Sequence, residues 1–324
     1  MSPELLYLSQ ADVAAVSLTM AEVVDATEAG FRAMGEGRYE LPSKTAIHPG
    51  SAENFINAMP GYIPDLGAAG IKWVAGFAGN PARGLPYVSG LLILNDAETG
   101  LPLSVMDCIW ITTMRTAAAT AVSAKYLARP ESSVVGVLGC GVQGRSNIEA
   151  LKLSFPLRRV MAYDPTPGVT AKYAAEISER FGLEVIEVSE PRDAVTGCDI
   201  IVTAGPMSKT PPRPIQGGWM DAGAFASLVD YDCMWSGAAM AEADKFTTDD
   251  SSNLNGMRKV GFFQEAPEID ADLGDIVVGR KAGRETPSER TFAANVGHAI
   301  DDMSVAPLIY KRALEKGIGT KLPT

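Results

Sequence analysis

The most constraining feature of this sequence is a glycine-rich turn that joins an apolar segment to a helix. Residues 133–138 predict a short buried strand, the turn Gly-Cys-Gly-Val-Gln-Gly follows at 139–144, and a helical pattern continues over 145–153. A second apolar run, 159–163, ends directly before Asp164. This order of strand, turn, helix, strand and acid is the fingerprint of a dinucleotide-binding βαβ unit.

Each part of the fingerprint has a physical purpose. Gly139 makes the tight turn, Gly141 lets the backbone approach a pyrophosphate, and Gly144 allows close packing of the helix on the strand. The start of the helix offers N–H groups and a positive dipole end to phosphates. Asp164 is expected to accept hydrogen bonds from the adenosine ribose and to repel a 2′-phosphate, which favours NAD over NADP. The alternative, a glycine-rich turn that binds no ligand, remains open at this point.

The segments around the fingerprint predict the fold class. Further apolar runs at 183–188, 199–204, 224–229 and 245–248 alternate with helical segments, which is typical of a doubly wound parallel sheet. The first third of the chain has a mixed α and β pattern with many prolines and glycines. We therefore predict an α/β protein, with a Rossmann sheet and a separate mixed α+β domain. The tail from about residue 291 is expected to be mainly helical and to add no strand.

Composition excludes several classes of function. The net charge is −11, from 28 basic and 39 acidic residues, and a nucleic-acid partner would require a basic surface. The two histidines, His48 and His298, stand far apart, which argues against a histidine-built metal site. The four cysteines form no CxxC pair, so a reduced, cytoplasmic chain is expected. The N-terminus has no signal-peptide pattern, and we expect no membrane span.

Short motifs outside the fingerprint complete a family pattern. In chain order these are Met59-Pro60, Lys72, Thr99-Gly100, Arg115-Thr116, Gly139-Cys140-Gly141 and the stretch 297–302. Their order and spacing resemble the ornithine cyclodeaminase/mu-crystallin family over essentially the whole chain. The resemblance implies a substrate-binding and dimerisation domain formed by 1–116 and 292–324, a Rossmann NAD-binding domain at 117–291, and a homodimer.

The resemblance also implies roles for particular residues in hydride transfer at the α-carbon of a small amino or imino acid. Arg115 matches the arginine that holds the substrate carboxylate, a task that suits its planar fork of donors. Lys72 matches the lysine near the carboxylate and the reacting carbon, and Lys44 stands where many relatives have an arginine. Asp230 matches the aspartate that moves the proton, with Asp232 as the alternative. The residues expected to bind the cofactor are Thr116, Gly139, Gly141, Val142, Gln143, Gly144, Asp164, Ala204, Gly205 and Asp230.

Three functions are compatible with this pattern. The first is an NAD(H)-dependent imine reductase or amino acid dehydrogenase. The preferred version is reduction of a ketimine or an iminosuccinate-type imine, because the cationic candidates Lys44, Lys72, Arg83 and Arg115 are enough to hold two carboxylates. The second is an ornithine- or lysine-type cyclodeaminase, although Phe55 falls near where ornithine-specific enzymes have an acid. The third is a non-catalytic NAD-binding protein of the crystallin kind. The roles of Arg83 and His48 stay open.

Overall fold

The computed structural model of the chain describes residues 4–323. In chain order its strands are β1 (Glu4–Leu8), β2 (Thr45–Ile47), β3 (Phe55–Ile63), β4 (Ala68–Gly76), β5 (Val88–Asp96), β6 (Pro102–Asp107), β7 (Val134–Leu138), β8 (Arg159–Tyr163), β9 (Glu184–Glu187), β10 (Ile200–Thr203), β11 (Phe225–Leu228), β12 (Lys245–Thr248), β13 (Ala271–Asp272), β14 (Thr291–Ala293) and β15 (Thr320–Pro323). Its helices are α1 (Gln10–Val16), α2 (Met20–Gly35), α3 (Ile109–Leu127), α4 (Val142–Leu151), α5 (Val169–Phe181), α6 (Gly237–Met240), α7 (Ser251–Lys259), α8 (Leu273–Val277) and α9 (Ala299–Lys316).

The described chain divides into two compact units. Unit 1 runs to Arg115 and resumes at Gly297, and unit 2 is Thr116–Val296. The first boundary falls inside α3, and the second falls in the segment that leads from β14 to α9. No helix in residues 4–323 has both the length and the apolar character that crossing a membrane requires.

Unit 1 contains a mixed sheet in the order β15-β1-β6-β5-β4-β3-β2. Only β1 and β6 pair in parallel among these described strands, and the other neighbours are antiparallel. In β4 the side chains of Lys72 and Val74 are buried, whereas Trp73 between them is 48% exposed. This alternation follows from the period of two in a strand. Helix α9 packs over β3 and β4, so Lys72 faces an interior.

Helix α9 begins with a strong N-terminal signal. His298 is its N-cap residue, and Asp301 and Asp302 lie in its first turn. Carboxylates are favoured there because the unpaired N–H groups of the first turn carry partial positive charge. Both aspartates are buried, so the start of α9 brings two negative charges into the interior of unit 1.

Unit 2 is built on a parallel sheet in the order β13-β12-β14-β11-β10-β7-β8-β9. Every pair of neighbours in this sheet is parallel. Counted from β7, the first five strands along the chain, β7 to β11, lie in the order third, second, first, fourth, fifth, which is the Rossmann arrangement. The predicted α/β class is confirmed, and the strand order reverses between β7 and β10.

The prediction that the tail adds no strand is wrong, because the tail contributes both β14 and β15, the latter paired antiparallel with β1. Residues 291–293 form β14, a buried strand between β11 and β12, where a helical tail without a strand was expected. The strand has only three residues, too few to show an alternating pattern, and all three are buried. A short apolar run of this kind cannot be assigned to strand or helix from periodicity. The helical part of the tail starts later, at Ala299.

Candidate functional site

The glycine-rich turn lies at the point where the strand order of unit 2 reverses. It follows β7, and the loop after the neighbouring strand β10 begins with Ala204 and Gly205. Gly139 has a φ of 104°, which only glycine adopts readily. A Cβ there would lie 2.5 Å from the Ala204 carbonyl oxygen. The two loops are therefore closely packed at the edge where open α/β sheets bind ligands.

The start of α4 is open to a ligand. A Cβ on Gly141 would meet no heavy atom within 4 Å, and Gly141, as the N-cap residue, offers no side-chain hydrogen bond to the helix. The side chain of Val142 is exposed, and Gln143 beside it is half-buried. By contrast, a Cβ on Gly144 would lie 2.5 Å from the Gly139 carbonyl oxygen. The turn thus has one glycine that faces open space and one that permits close packing.

Asp164 follows β8 and contacts the same turn. Its Oδ2 accepts a hydrogen bond from the Cys140 backbone N–H at 3.0 Å, and its Oδ1 accepts one from the Thr166 N–H at 2.9 Å. These bonds hold the carboxylate beside the glycine-rich turn. Fixed in this way, Asp164 stands where a Rossmann sheet places the acid that binds a ribose.

Asp230 lies at the carboxyl end of β11 and is 1% exposed. Its Oδ1 accepts a hydrogen bond from the Thr203 hydroxyl at 2.6 Å, and its Oδ2 accepts one from the Gly205 N–H at 3.0 Å. Burial raises the pKa of Asp230 to about 7, although both hydrogen bonds oppose that change. A carboxyl group with a pKa near neutrality can both give and take a proton.

The alternative residue, Asp232, has a different environment. It is fully buried, and its Oδ2 pairs with the Arg213 guanidinium at 2.6 Å. Tyr231, between the two aspartates, has a φ of 62°, which is strained for a bulky residue. Its ring packs against Phe262 at 5.1 Å. This turn directs Asp230 toward Gly205 and Asp232 toward Arg213.

In unit 1, Lys72 is held in a buried ion pair. Its Nζ lies 2.7 Å from both carboxylate oxygens of Asp302, and both side chains are almost completely inaccessible to solvent. Burial lowers the pKa of Lys72, Asp302 opposes that effect, and the nearby charge of Arg115 adds to it. The candidate lysine is therefore fixed in orientation by an aspartate that the sequence analysis did not assign a role.

Arg115, on α3, is 9% exposed and faces the same first turn of α9. Its guanidinium lies 3.5 Å from Asp301 and 3.5 Å from Asp302. Gly297 approaches it closely, since a Cβ there would be 2.5 Å from Nη1 of Arg115. Gly297 also has a φ of 70°, so its lack of a side chain permits both this backbone conformation and the close approach of the arginine.

The remaining candidates of unit 1 lie farther along the sheet. Lys44 is half-buried and precedes β2, whose register, continued by one residue, puts it opposite Met59, the partner of Lys72. His48 and Arg83 are exposed in loops. The His48 Nδ1 and the Asn54 carbonyl oxygen are 2.8 Å apart. The structure thus brings together Lys72 and Arg115 and leaves Arg83 and His48 at the surface. In unit 2, Thr116 is half-buried on α3.

Sequence reasoning missed the partners of these side chains. Asp301 and Asp302 were noted only as part of the stretch 297–302, and Thr203 only as part of a predicted strand. A usable signal existed for the aspartates, because two adjacent acids in an otherwise apolar helix start need a buried cation or an N-terminal dipole. Nothing in the sequence around Thr203 pointed to Asp230.

The fold and the two sites define a dinucleotide-binding enzyme of the Rossmann class with a second unit that carries buried cations. More specifically, the chain belongs to the ornithine cyclodeaminase/mu-crystallin family, whose family model matches residues 4–317. The predicted family is confirmed.

Individual relatives agree over nearly the whole chain. Alanine dehydrogenase of Archaeoglobus fulgidus is 33% identical over 98% of this chain and 98% of its own. The structure of the Thermococcus litoralis Δ1-pyrroline-2-carboxylate reductase in complex with NADH and L-proline matches with a TM-score of 0.88 at 33% identity, covering 98% of this chain and 100% of that one. An archaeal alanine dehydrogenase dimer with bound NAD matches with a TM-score of 0.88 at 32% identity, covering 99% of each chain.

Proposed function

We propose that this protein is an NAD(H)-dependent oxidoreductase that transfers a hydride at the α-carbon of a small amino or imino acid. In this reaction an imine gains a hydride at carbon and a proton at nitrogen to become an amine, or the reverse. The observation that carries the proposal is Asp230, a buried acid with a pKa of about 7 at the ligand-binding edge of a Rossmann sheet. The named activities of the relatives described above agree with it.

The residues of unit 2 fit the cofactor. The uncapped start of α4 and the open space at Gly141 suit a pyrophosphate, and Asp164 suits an unphosphorylated ribose. Residues of the turn 139–144, with Ala204 and Gly205, would hold NAD, and Thr116 is the further cofactor contact that we propose. When bound, NADH supplies the hydride to the substrate carbon.

The chain itself supplies charge and a proton. We propose that Arg115 binds the substrate carboxylate through its fork of donors, that Lys72 contributes positive charge near the reacting carbon, and that Lys44 adds a more distant charge. Asp230 gives its proton to the substrate nitrogen during reduction and takes it back during oxidation. Unit 1 is accordingly the substrate-binding and dimerisation part, and unit 2 is the cofactor-binding part.

The charges near Lys72 favour a substrate with one carboxylate. Lys72 and Arg115 contribute two positive charges, and Asp301 and Asp302 contribute two negative charges close to them. The group is therefore balanced without a ligand, and a bound dicarboxylate would add two uncompensated negative charges where a monocarboxylate adds one. We propose a monocarboxylic imine as the preferred substrate. The alternative, which the experiment below compares with it, is a dicarboxylic imine of the iminosuccinate type.

We also propose a homodimer that works in the cytoplasm. On the outer face of the unit 1 sheet, Trp73 and Leu91 are cross-strand partners that are 48% and 44% exposed. Neighbouring exposed apolar side chains of this kind are common at interfaces between protein chains. The four cysteines are all free and buried, which agrees with a reducing compartment.

The test is steady-state oxidation of NADH, followed by its absorbance. The monocarboxylic substrates are imines formed from pyruvate or glyoxylate with ammonia or methylamine, and the cyclic imine Δ1-pyrroline-2-carboxylate. The dicarboxylic substrate is the imine formed from oxaloacetate and ammonia. We expect turnover with at least one monocarboxylic imine and a lower kcat/KM for the dicarboxylic one. Each carbonyl compound without amine is the control, because reduction of the ketone itself would give the same absorbance change.

Two results would contradict the proposal. No NADH oxidation with any substrate pair would remove the reductase function. Release of ammonia from L-ornithine or L-lysine without accumulation of NADH would instead identify a cyclodeaminase, in which the cofactor is reduced and reoxidised within one cycle.

A further inference from the structure

Asp230 is the end of a chain of side-chain hydrogen bonds inside unit 2. The Trp235 indole Nε1 lies 3.2 Å from the Thr203 hydroxyl oxygen, and that hydroxyl lies 2.6 Å from Oδ1 of Asp230. Trp235 and Thr203 are fully buried, and Asp230 is 1% exposed. A chain of this kind, sealed from water, has few ways to rearrange its hydrogens.

The chemistry of the three groups fixes the direction of the chain. An indole N–H is only a donor, so the Thr203 oxygen has to accept from Trp235. The single hydroxyl proton of Thr203 is then given to Oδ1 of Asp230, which is its other hydrogen-bond partner among the described residues. Oδ2 accepts a backbone N–H from Gly205 and keeps a second lone pair.

We infer that Thr203 and Trp235 are positioning residues that hold the Thr203 proton on Oδ1, so that Asp230 exchanges its own proton through Oδ2. This inference rests on the proposed role of Asp230 and deepens it. If Oδ1 carried the proton, the Thr203 hydroxyl would have to turn away, and Trp235 already occupies part of its accepting capacity. Oδ2 therefore is the oxygen that gives a proton to the substrate nitrogen and receives it back.

The two carboxylate oxygens of Asp230 have different hydrogen-bond partners, which agrees with this assignment. A Cβ on Gly205 would lie 3.2 Å from Oδ2 of Asp230 and 2.5 Å from the Met234 side chain. Glycine at this position therefore permits close packing, and its N–H is the hydrogen-bond donor to Oδ2 among the described residues. Oδ1, in contrast, points into the buried Thr203–Trp235 pair.

The experiment measures the protonation of Asp230 in variants of the chain. Thr203→Val removes the donor to Oδ1 and keeps the shape of the side chain. Because a hydrogen bond to the charged form is lost, the midpoint of the Asp230 titration should rise by about one pH unit. Thr203→Ser should return the midpoint to the wild-type value. Trp235→Phe should raise it by less, because the Thr203 hydroxyl is kept but no longer directed.

Two measurements report that midpoint. The first is the pH dependence of kcat for imine reduction. Its decrease on the basic side should shift to higher pH, because the reaction needs protonated Asp230. The second is infrared titration of the carboxyl group without cofactor, with Asp230→Asn subtracted to isolate the Asp230 signal. Thr120→Val is the matched control, since Thr120 is also buried and bonds another side chain, Ser227, at 2.8 Å. It should leave the midpoint unchanged.

The outcomes separate this inference from the proposed function. An unchanged infrared midpoint in Thr203→Val, equal to that of Thr120→Val, would overturn the inference, as would a Thr203→Ser variant that behaves like Thr203→Val. If Thr203→Val does not fold, Trp235→Phe decides the question: a midpoint above that of Thr203→Ser and of the wild type supports the inference, and an unchanged midpoint overturns it. If wild-type protein oxidises no NADH with any imine, the proposed function fails, and the infrared midpoints still test the hydrogen-bond chain.

Discussion

Units 1 and 2 both bury an aspartate beside a candidate functional residue, but they surround it with different groups. In unit 1, Asp302 faces the ammonium of Lys72 at 2.7 Å, with the Arg115 guanidinium at 3.5 Å. In unit 2, the described hydrogen-bond donors to Asp230 are the neutral Thr203 hydroxyl and the neutral Gly205 N–H. Both carboxyl groups are almost completely buried.

The difference shows how one protein makes two kinds of aspartate. A cation at contact distance stabilises a buried carboxylate in its charged form. Neutral donors compensate burial only in part, so the pKa of Asp230 rises to about 7 and the group titrates in the range where enzymes work. An aspartate of the first kind fixes other side chains, and one of the second kind can move a proton.

The largest expected effect is the loss of turnover when Asp230, the aspartate of unit 2 in this comparison, can no longer exchange a proton. Asp230→Asn keeps the shape of the side chain but can no longer exchange a proton with substrate. We expect kcat for imine reduction to fall by about 10³-fold, within the usual range for loss of a general acid. Binding of NADH, followed by the change in its fluorescence, should weaken only slightly, because the glycine-rich turn is untouched and the asparagine amide keeps a polar side chain of the same size at position 230.

Asp232→Asn is the matched control for that variant. It removes the charge from the neighbouring aspartate, which pairs with Arg213 at 2.6 Å. We expect it to lower the free energy of unfolding by about 1–3 kcal/mol while the folded enzyme keeps its kcat. If Asp232→Asn abolishes turnover and Asp230→Asn does not, the roles of the two aspartates are reversed.

The next effect concerns stability and tests unit 1. Lys72→Met leaves Asp302 without its ammonium partner in the interior, and we expect the free energy of unfolding to fall by about 3 kcal/mol. The double variant Lys72→Met/Asp302→Asn should recover part of that loss, since the unpaired buried charge is removed as well. Urea unfolding of the wild type, both single variants and the double variant gives the coupling energy. Strictly additive losses would mean that the two side chains do not act as a pair.

Local patterns made the Rossmann part of unit 2 predictable from sequence. The strand at β7, the turn 139–144 and the acid at 164 lie within a short stretch, and each has a composition that sterics and hydrogen bonding require. The position of Asp230 at the end of a strand could be predicted for the same reason. The three-residue strand β14 could not, because its pairing with β11 and β12 depends on the complete sheet.

Long-range partners account for what the sequence did not reveal. Lys72 and Asp302 are 230 residues apart, and Thr203 and Trp235 are 32 residues apart. Neither pair has a spacing that periodicity in a helix or strand would bring together. Sequence therefore pointed to the candidate residues singly, whereas the surroundings that set their charge became apparent only in the folded chain.

The smallest expected effect concerns Asp164, a third carboxylate that accepts only backbone N–H groups among its described hydrogen bonds. Asp164→Ser removes the negative charge that repels a 2′-phosphate while it keeps a short polar side chain. We expect the preference for NADH over NADPH, measured as the ratio of kcat/KM values, to fall by about tenfold, equivalent to about 1.4 kcal/mol.

The matched control for this variant is Glu187→Gln, at the end of the neighbouring strand β9. It removes one negative charge outside the glycine-rich turn, so it should leave the ratio nearly unchanged. An equal fall of this ratio in both variants would mean that the overall negative charge of unit 2, rather than Asp164 itself, sets the preference for NADH. A fall confined to Asp164→Ser would show that Asp164 itself selects the cofactor, through a carboxylate held, like that of Asp230, by uncharged hydrogen-bond donors.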